Sequence, residues 1–243
     1  RAFSVALIIL LIGLVGVGGI MLLVTQYLQL VAGLSPLAAG KMMGPPAVAM
    51  VIGGIAAPLL ARYVRPAYVV AGALALSAVG YLALVRLGTD PSGVGLVVAG
   101  FSLAYLGLGT IAALGTDLIV GAAPANKAGS ASAMSETVQE LGLGLGIAVI
   151  GSLSTAIYRS NILAGLPGTL SEQAQRAVAE SLWAATSVAN QLPDGVLAEA
   201  QTAFTRGFNV AAGASAGSIA VLAVAAAGAL RHVGKISAPP ADS

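Results

Sequence analysis

Two glutamates four residues apart, in the run Ser135-Glu136-Thr137-Val138-Gln139-Glu140, are the groups in this chain best suited to chemistry. At that spacing they share one helical face, and the sequence around them is apolar enough to lie in a bilayer. An ionised side chain at mid-bilayer costs about 2.5–3.5 kcal/mol on insertion scales, so the pair asks for a reason. Carboxylates this close repel each other in an apolar setting, which makes at least one a candidate proton carrier. The competing account has both glutamates hydrogen-bonded to neighbouring helices. Two uncompensated carboxylates are an expensive way to glue a bundle, and this favours proton coupling for Glu136 and Glu140.

Other polar residues are fewer and weaker signals. Gln26, Tyr27 and Gln29 form a patch toward one end of the first hydrophobic stretch, and Tyr105 adds a hydroxyl in the fourth. These four are candidates for lining a substrate cavity, with headgroup anchoring as the alternative. Asp117 falls near the other membrane face, within reach of Arg62 or Lys127. Asp117, Arg62 and Arg65 are therefore candidates for a cytoplasmic gate, or for a plain interfacial acid with its bases. Lys41 lies about 7 Å inside its helix end and is expected to snorkel outward.

Enzyme chemistry fails on inventory. The chain has no cysteine and a single histidine, His232, in a polar tail, so clustered zinc ligands and a Ser–His pair at membrane depth are both missing. No strand is visible that could carry a phosphate-binding or dinucleotide-binding loop. No metal and no cofactor is expected, only protons as a coupling ion. A net charge of +2, scattered along the chain, argues against a nucleic-acid surface.

The elements that must position these residues are hydrophobic helices. With 58% hydrophobic and only 8% charged residues, the chain cannot cover a water-exposed globule, which would carry about 25% charge. Six stretches reach the roughly 20 residues needed to cross a bilayer: about 3–32, 36–61, 66–87, 92–120, 128–158 and 207–231. Counting about 1.5 Å per residue from position 128 puts Glu136 and Glu140 roughly 12 and 18 Å into the membrane. All six are rich in glycine and alanine, which let backbones approach closely, with Gly142 and Gly146 forming such a face on the fifth. No stretch alternates with period two, so a β-barrel is a poor reading.

The junctions are short. Gly33-Leu34-Ser35-Pro36 combines a C′ glycine, an N-cap serine and an N1 proline, and predicts a tight reversal. Arg62-Tyr63-Val64-Arg65-Pro66, Gly88-Thr89-Asp90-Pro91 and Pro124-Ala125-Asn126-Lys127 make the next turns. Pro45 and Pro46 predict a kink inside the second span. One long connection, 159–206, follows the first five spans (1–158). Thr169 and Glu172 have capping-box spacing ahead of an amphipathic run with Val178, Leu182 and Trp183, and Pro193-Asp194 opens a second helical pattern through Phe204. Two surface helices fit there, Trp183 acting as an interfacial anchor, with a partly ordered loop of no role as the alternative. The sixth span, 207–231, precedes a tail at 232–243 that reads as disordered.

The third and sixth spans carry no charge between their ends and read as lipid-facing, while polar residues concentrate on the others. The expected fold is an all-α membrane protein of six transmembrane helices arranged as a 3+3 inverted repeat, a recurrent transporter design. Six crossings put Arg1, Arg62, Arg65, Lys127, Arg231 and Lys235 on one side, which is the better cytoplasmic candidate; Arg86, Arg159, Arg176 and Arg206 fall on the other. Position 1 is Arg, so the chain is expected to be part of a longer polypeptide.

Gln26-Tyr27-Leu28-Gln29 leading to Gly33-Leu34-Ser35-Pro36-Leu37-Ala38-Ala39-Gly40 resembles the start of the C-terminal half of fourteen-helix drug:proton antiporters of the major facilitator superfamily, the EmrB/QacA-like branch. Ser135-Glu136-Thr137, Glu140-Leu141-Gly142 and Leu145-Gly146-Ile147-Ala148-Val149-Ile150-Gly151-Ser152 resemble the same branch. The resemblance implies six helices corresponding to the last six of fourteen, both ends cytoplasmic in the inner (plasma) membrane, and the long loop extracellular. It implies a proton-coupled exporter of small lipophilic compounds, completed by an N-terminal half, with Glu136 and Glu140 at positions of the family's membrane acids. The chain departs from the pattern at Ala61, which stands before Arg62 where the family pairs an Asp with the Arg. The N-terminal half's antiporter signature is not in this chain. Two other readings remain, a six-helix transporter acting as a homodimer and a non-transporting membrane subunit or scaffold.

Overall fold

The computed structural model describes residues 2–90, 93–121, 124–163, 165–166 and 170–229. Thr169, His232 and the tail lie outside these, as do Arg1, Arg231 and Lys235. The described residues contain α1 (Ala2–Gln26), continued by a wide turn over Tyr27–Val31, then α2 (Pro36–Met42), α3 (Gly44–Tyr63), α4 (Pro66–Leu84) and α5 (Gly93–Gly121). Next come α6 (Ala128–Leu163), α7 (Glu172–Glu180), α8 (Leu182–Ser187) and α9 (Val196–Ala229). No strand occurs among the described residues, and six helical stretches are long and apolar enough to span a bilayer, α2 and α3 counting as one.

The first reversal forms as its residues dictate. Gly33 takes the left-handed conformation at φ 68°, the Ser35 hydroxyl accepts the Ala38 N–H at 3.3 Å, and Pro36 opens α2. The kink expected at Pro45 and Pro46 is a break between α2 and α3 at Met43. Neither proline has an N–H to donate, so both sit in the first turn of a new helix, where no donor is needed.

Helix α9 starts at Val196, not at 207, so the second short loop helix is in fact the first turns of the sixth span. Burial explains the continuity: Val196, Ala200, Ala203 and Phe204 pack into the core before the chain reaches the expected span.

Packing follows the small residues. Helices α1 and α6 run side by side in the same direction, so close that a Cβ on Gly142 would lie 2.9 Å from the Leu14 Cβ and one on Gly146 would strike the Val15 backbone. Helices α3 and α5 are matched in the same way, Gly53 against Leu106 and Gly109 against Met50. Thus the second span packs along the fourth and the fifth along the first, the exchange of partners that two related triplets would give. Helices α1 and α5 stand together at the centre, flanked by α6 and α3, with α4 and α9 closing the back.

The third and sixth spans, expected to face lipid, are exposed on one side only. Val79, Leu82, Val221 and Val224 are exposed, but the opposite faces of α4 and α9 pack on each other. The barest spans are the second and fifth: over an apolar 18-residue stretch of each, 17% and 28% of the residues are buried, against 44% or more in every other span.

Candidate functional site

Helix α6 buries one stripe and bares the rest. Ala131, Ser135, Gly142, Gly146 and Ile150 are buried, most of them against α1, whereas Glu136 and Glu140 are exposed on the side turned away from that stripe. Among the described residues neither carboxylate has a hydrogen-bond or ion-pair partner. The two glutamates therefore do not glue this bundle. They stand on one of the two spans whose surfaces the chain leaves uncovered.

The polar patch on the first span divides. Tyr27 is fully buried; its hydroxyl donates to the Gly88 carbonyl at 2.8 Å and its ring lies 5.9 Å from that of Phe208. It is a core residue where α1 meets α9 and the turn after α4, not a cavity wall. The reason is helical periodicity: Tyr27 continues the buried stripe of Ile20, Leu23 and Val24, and the wide turn, in which the Ala32 N–H bonds back five residues to the Tyr27 carbonyl, begins only there. Gln26, one residue before, stays half-exposed and lines a cleft of about 490 Å³ between α1 and α6, with Gly151, Thr155 and Arg159 on the opposite wall. Gln29 is half-buried, its amide reaching the Thr25 carbonyl at 3.4 Å. Tyr105 is half-buried with its ring 4.5 Å from Phe101, and it borders neither this cleft nor the pocket beside it.

Asp117 is exposed near the end of α5, and Arg62 and Arg65 are exposed at the turn between α3 and α4. At the opposite end, Arg206 donates to the Asn161 side-chain amide oxygen at 3.1 Å and the Arg159 Nε to the Ala179 carbonyl at 3.1 Å. Asn209 donates to the Leu87 carbonyl at 2.9 Å, beside Arg86.

Sequence reasoning missed two polar links. Ser135, fully buried, lies 3.4 Å from both the Thr116 hydroxyl and the Gln139 amide, joining α5 to α6 at the residue just before Glu136. Gln201 donates to the Leu30 carbonyl at 2.9 Å, tying α9 to the wide turn. The i, i+4 spacing of Ser135 and Gln139 was available as a signal; the partners across helices were not.

Fold and site define an all-α, multi-pass membrane protein. No protein-family profile matches the chain. It is similar to the multidrug efflux pump LfrA of Mycolicibacterium smegmatis, 36% identical over 228 residues, covering 92% of this chain and 44% of that protein. It is also similar to the methyl viologen resistance protein SmvA of Salmonella typhimurium, 36% identical over 212 residues, covering 85% of this chain and 42% of that protein. A probable actinorhodin transporter of Streptomyces coelicolor is 32% identical over 203 residues, covering 81% and 34%. The chain thus spans less than half the length of these relatives, which by name are efflux, resistance and transport proteins and not enzymes.

Proposed function

We propose that this chain is the C-terminal half of a proton-coupled multidrug exporter of the major facilitator superfamily, in the fourteen-helix branch, working in the inner (plasma) membrane with both ends of the segment cytoplasmic. The observation that carries the reading is the exposed, partnerless placement of Glu136 and Glu140 on α6, one of the two spans left bare. An N-terminal half covering α3 and α6 would enclose the glutamates and the cleft beside Gln26 in one cavity between repeats. The names of the relatives, which cover multidrug efflux, methyl viologen resistance and actinorhodin transport, support the same class.

Exchange follows from linkage. A lipophilic cation entering the cavity favours ionised carboxylates and releases a proton; a proton arriving from outside neutralises them and releases the cation. Each ligand weakens the other through a common site, which is what antiport requires. Asp117, Arg62 and Arg65 are assigned to closure at the cytoplasmic end. The test is transport by the full-length protein reconstituted in liposomes, with methyl viologen as probe. Transport against its gradient, driven by an imposed pH difference and abolished by a protonophore, is the expected result. Transport indifferent to the pH difference overturns proton coupling, and no transport of any lipophilic cation overturns the export reading.

A further inference from the structure

The long connection is fastened to the membrane bundle in a specific place. The Tyr158 hydroxyl donates to the Val178 carbonyl at 2.7 Å, next to the Arg159–Ala179 bond, and Val178 and Leu182 are buried beneath. The Ser181 hydroxyl accepts the Ala184 N–H at 3.1 Å and starts α8 where α7 ends. These anchors hold the Glu180–Trp183 segment over the end of the α1–α6 cleft, where it encloses a pocket of about 140 Å³ with Gln26, Ser154 and Phe204. Trp183 is 64% exposed although its neighbour Leu182 is 2% exposed, so the indole is available while the backbone carrying it is fixed.

We propose that this pocket is a binding subsite for one planar aromatic ring of an organic cation, with Trp183 supplying the ring surface, Glu180 the counter-charge and the Gln26 amide a hydrogen bond. The proposal deepens the export reading above, because its ligand class is that reading's substrate class. A drug-sized ligand needs roughly 300–1,000 Å³, so the small pocket holds a single ring. The pocket shares Leu23, Gln26 and Thr155 with the cleft of about 490 Å³, which takes the remainder of the molecule. Charge sets the direction: Glu180 borders only the small pocket and Arg159 only the cleft. The cationic ring lies at Glu180, and an acceptor group on the same compound lies toward Arg159. Cation–π attraction and the carboxylate act on the same end of the ligand.

The test is equilibrium binding of ethidium to the full-length protein in lipid nanodiscs, read by fluorescence polarisation against protein-free discs. Trp183→Ala and Glu180→Gln are each expected to raise Kd by about fivefold or more, and Trp183→Phe to stay within about twofold. Because Trp183 is exposed, its removal leaves the bundle intact, and the melting temperature checks this. Unchanged Kd in both variants overturns the subsite and leaves Trp183 as an interfacial anchor; no binding by the unaltered protein also overturns it. Proton-driven efflux from the same preparation is scored separately. Lost efflux with the variant-sensitive binding retained counts against the export reading alone, and retained efflux with insensitive binding counts against the subsite alone.

Discussion

The Tyr27 hydroxyl and the Gly88 carbonyl, 2.8 Å apart, join the end of α1 to the turn that follows α4. Tyr27→Phe keeps the buried ring against Phe208 and removes this one bond. Because Gly88 is exposed, water can replace the lost donor, and the cost is expected at the low end of about 0.5–1.5 kcal/mol. Substrate affinity should not change, since the side chain faces the core. A loss of affinity with stability preserved would show that Tyr27 lines the cavity after all.

Close approach of α1 and α6 depends on glycines that nothing larger can replace. Gly146→Val would drive a side chain into the Val15 backbone, and a loss of about 1–3 kcal/mol is expected by overpacking. Gly72→Ala is the control, because a Cβ there meets nothing within 4 Å; it should be neutral or gain up to about 1 kcal/mol of helix propensity. Thermal unfolding in detergent measures both. Equal stability for Gly146→Val and Gly72→Ala would contradict the packing.

Much of this architecture is legible in the sequence because it depends on local chemistry. Gly33, Ser35 and Pro36 each do in the structure what their types demand, and Gly142 and Gly146 form the small face expected of them. The errors have physical causes. Pro193-Asp194 opens a helical pattern that looks like a separate surface helix, yet from Val196 it runs unbroken into the sixth span because Val196, Ala200 and Phe204 are buried by distant parts of the chain. Tyr27 continues the buried stripe of Ile20, Leu23 and Val24 at helical spacing, so its burial was legible, and its polar neighbours Gln26 and Gln29 are what drew it into the cavity reading. The sharing of one pocket by Gln26 and Trp183 could not be read, because it depends on where the long connection is fastened.

That connection should be sensitive to its caps. The Ser171 hydroxyl accepts the Ala174 N–H at 3.2 Å and starts α7, a task the sequence pattern gives to Thr169. Ser171→Ala is expected to cost the helix about 1 kcal/mol. Amide hydrogen exchange over residues 172–180 should quicken while exchange in α1 and α6 stays the same. Unchanged exchange in α7 would show that burial of Ala174 and Val178 alone holds it.

The link through Ser135 gives a further expectation. Ser135→Ala removes the hydroxyl that Gln139 reaches on α6 and that Thr116 meets from α5. Interhelical hydrogen bonds in membranes are worth about 0.6 kcal/mol on average, so only a small fall in melting temperature is expected. A fall as large as that of Gly146→Val would mean that this link carries far more of the α5–α6 contact than its geometry suggests.

Proton coupling through the exposed glutamates is tested most directly by proton release on substrate addition to the full-length protein. The measurement uses lightly buffered micelles with a pH indicator, comparing the unaltered protein with Glu136→Gln and Glu140→Gln. The unaltered protein should release protons when methyl viologen binds, and Glu140→Gln should abolish that release and the pH dependence of binding while the protein stays folded. Proton release and proton-driven efflux that persist unchanged in both variants would contradict the account and leave Glu136 and Glu140 without a part in coupling.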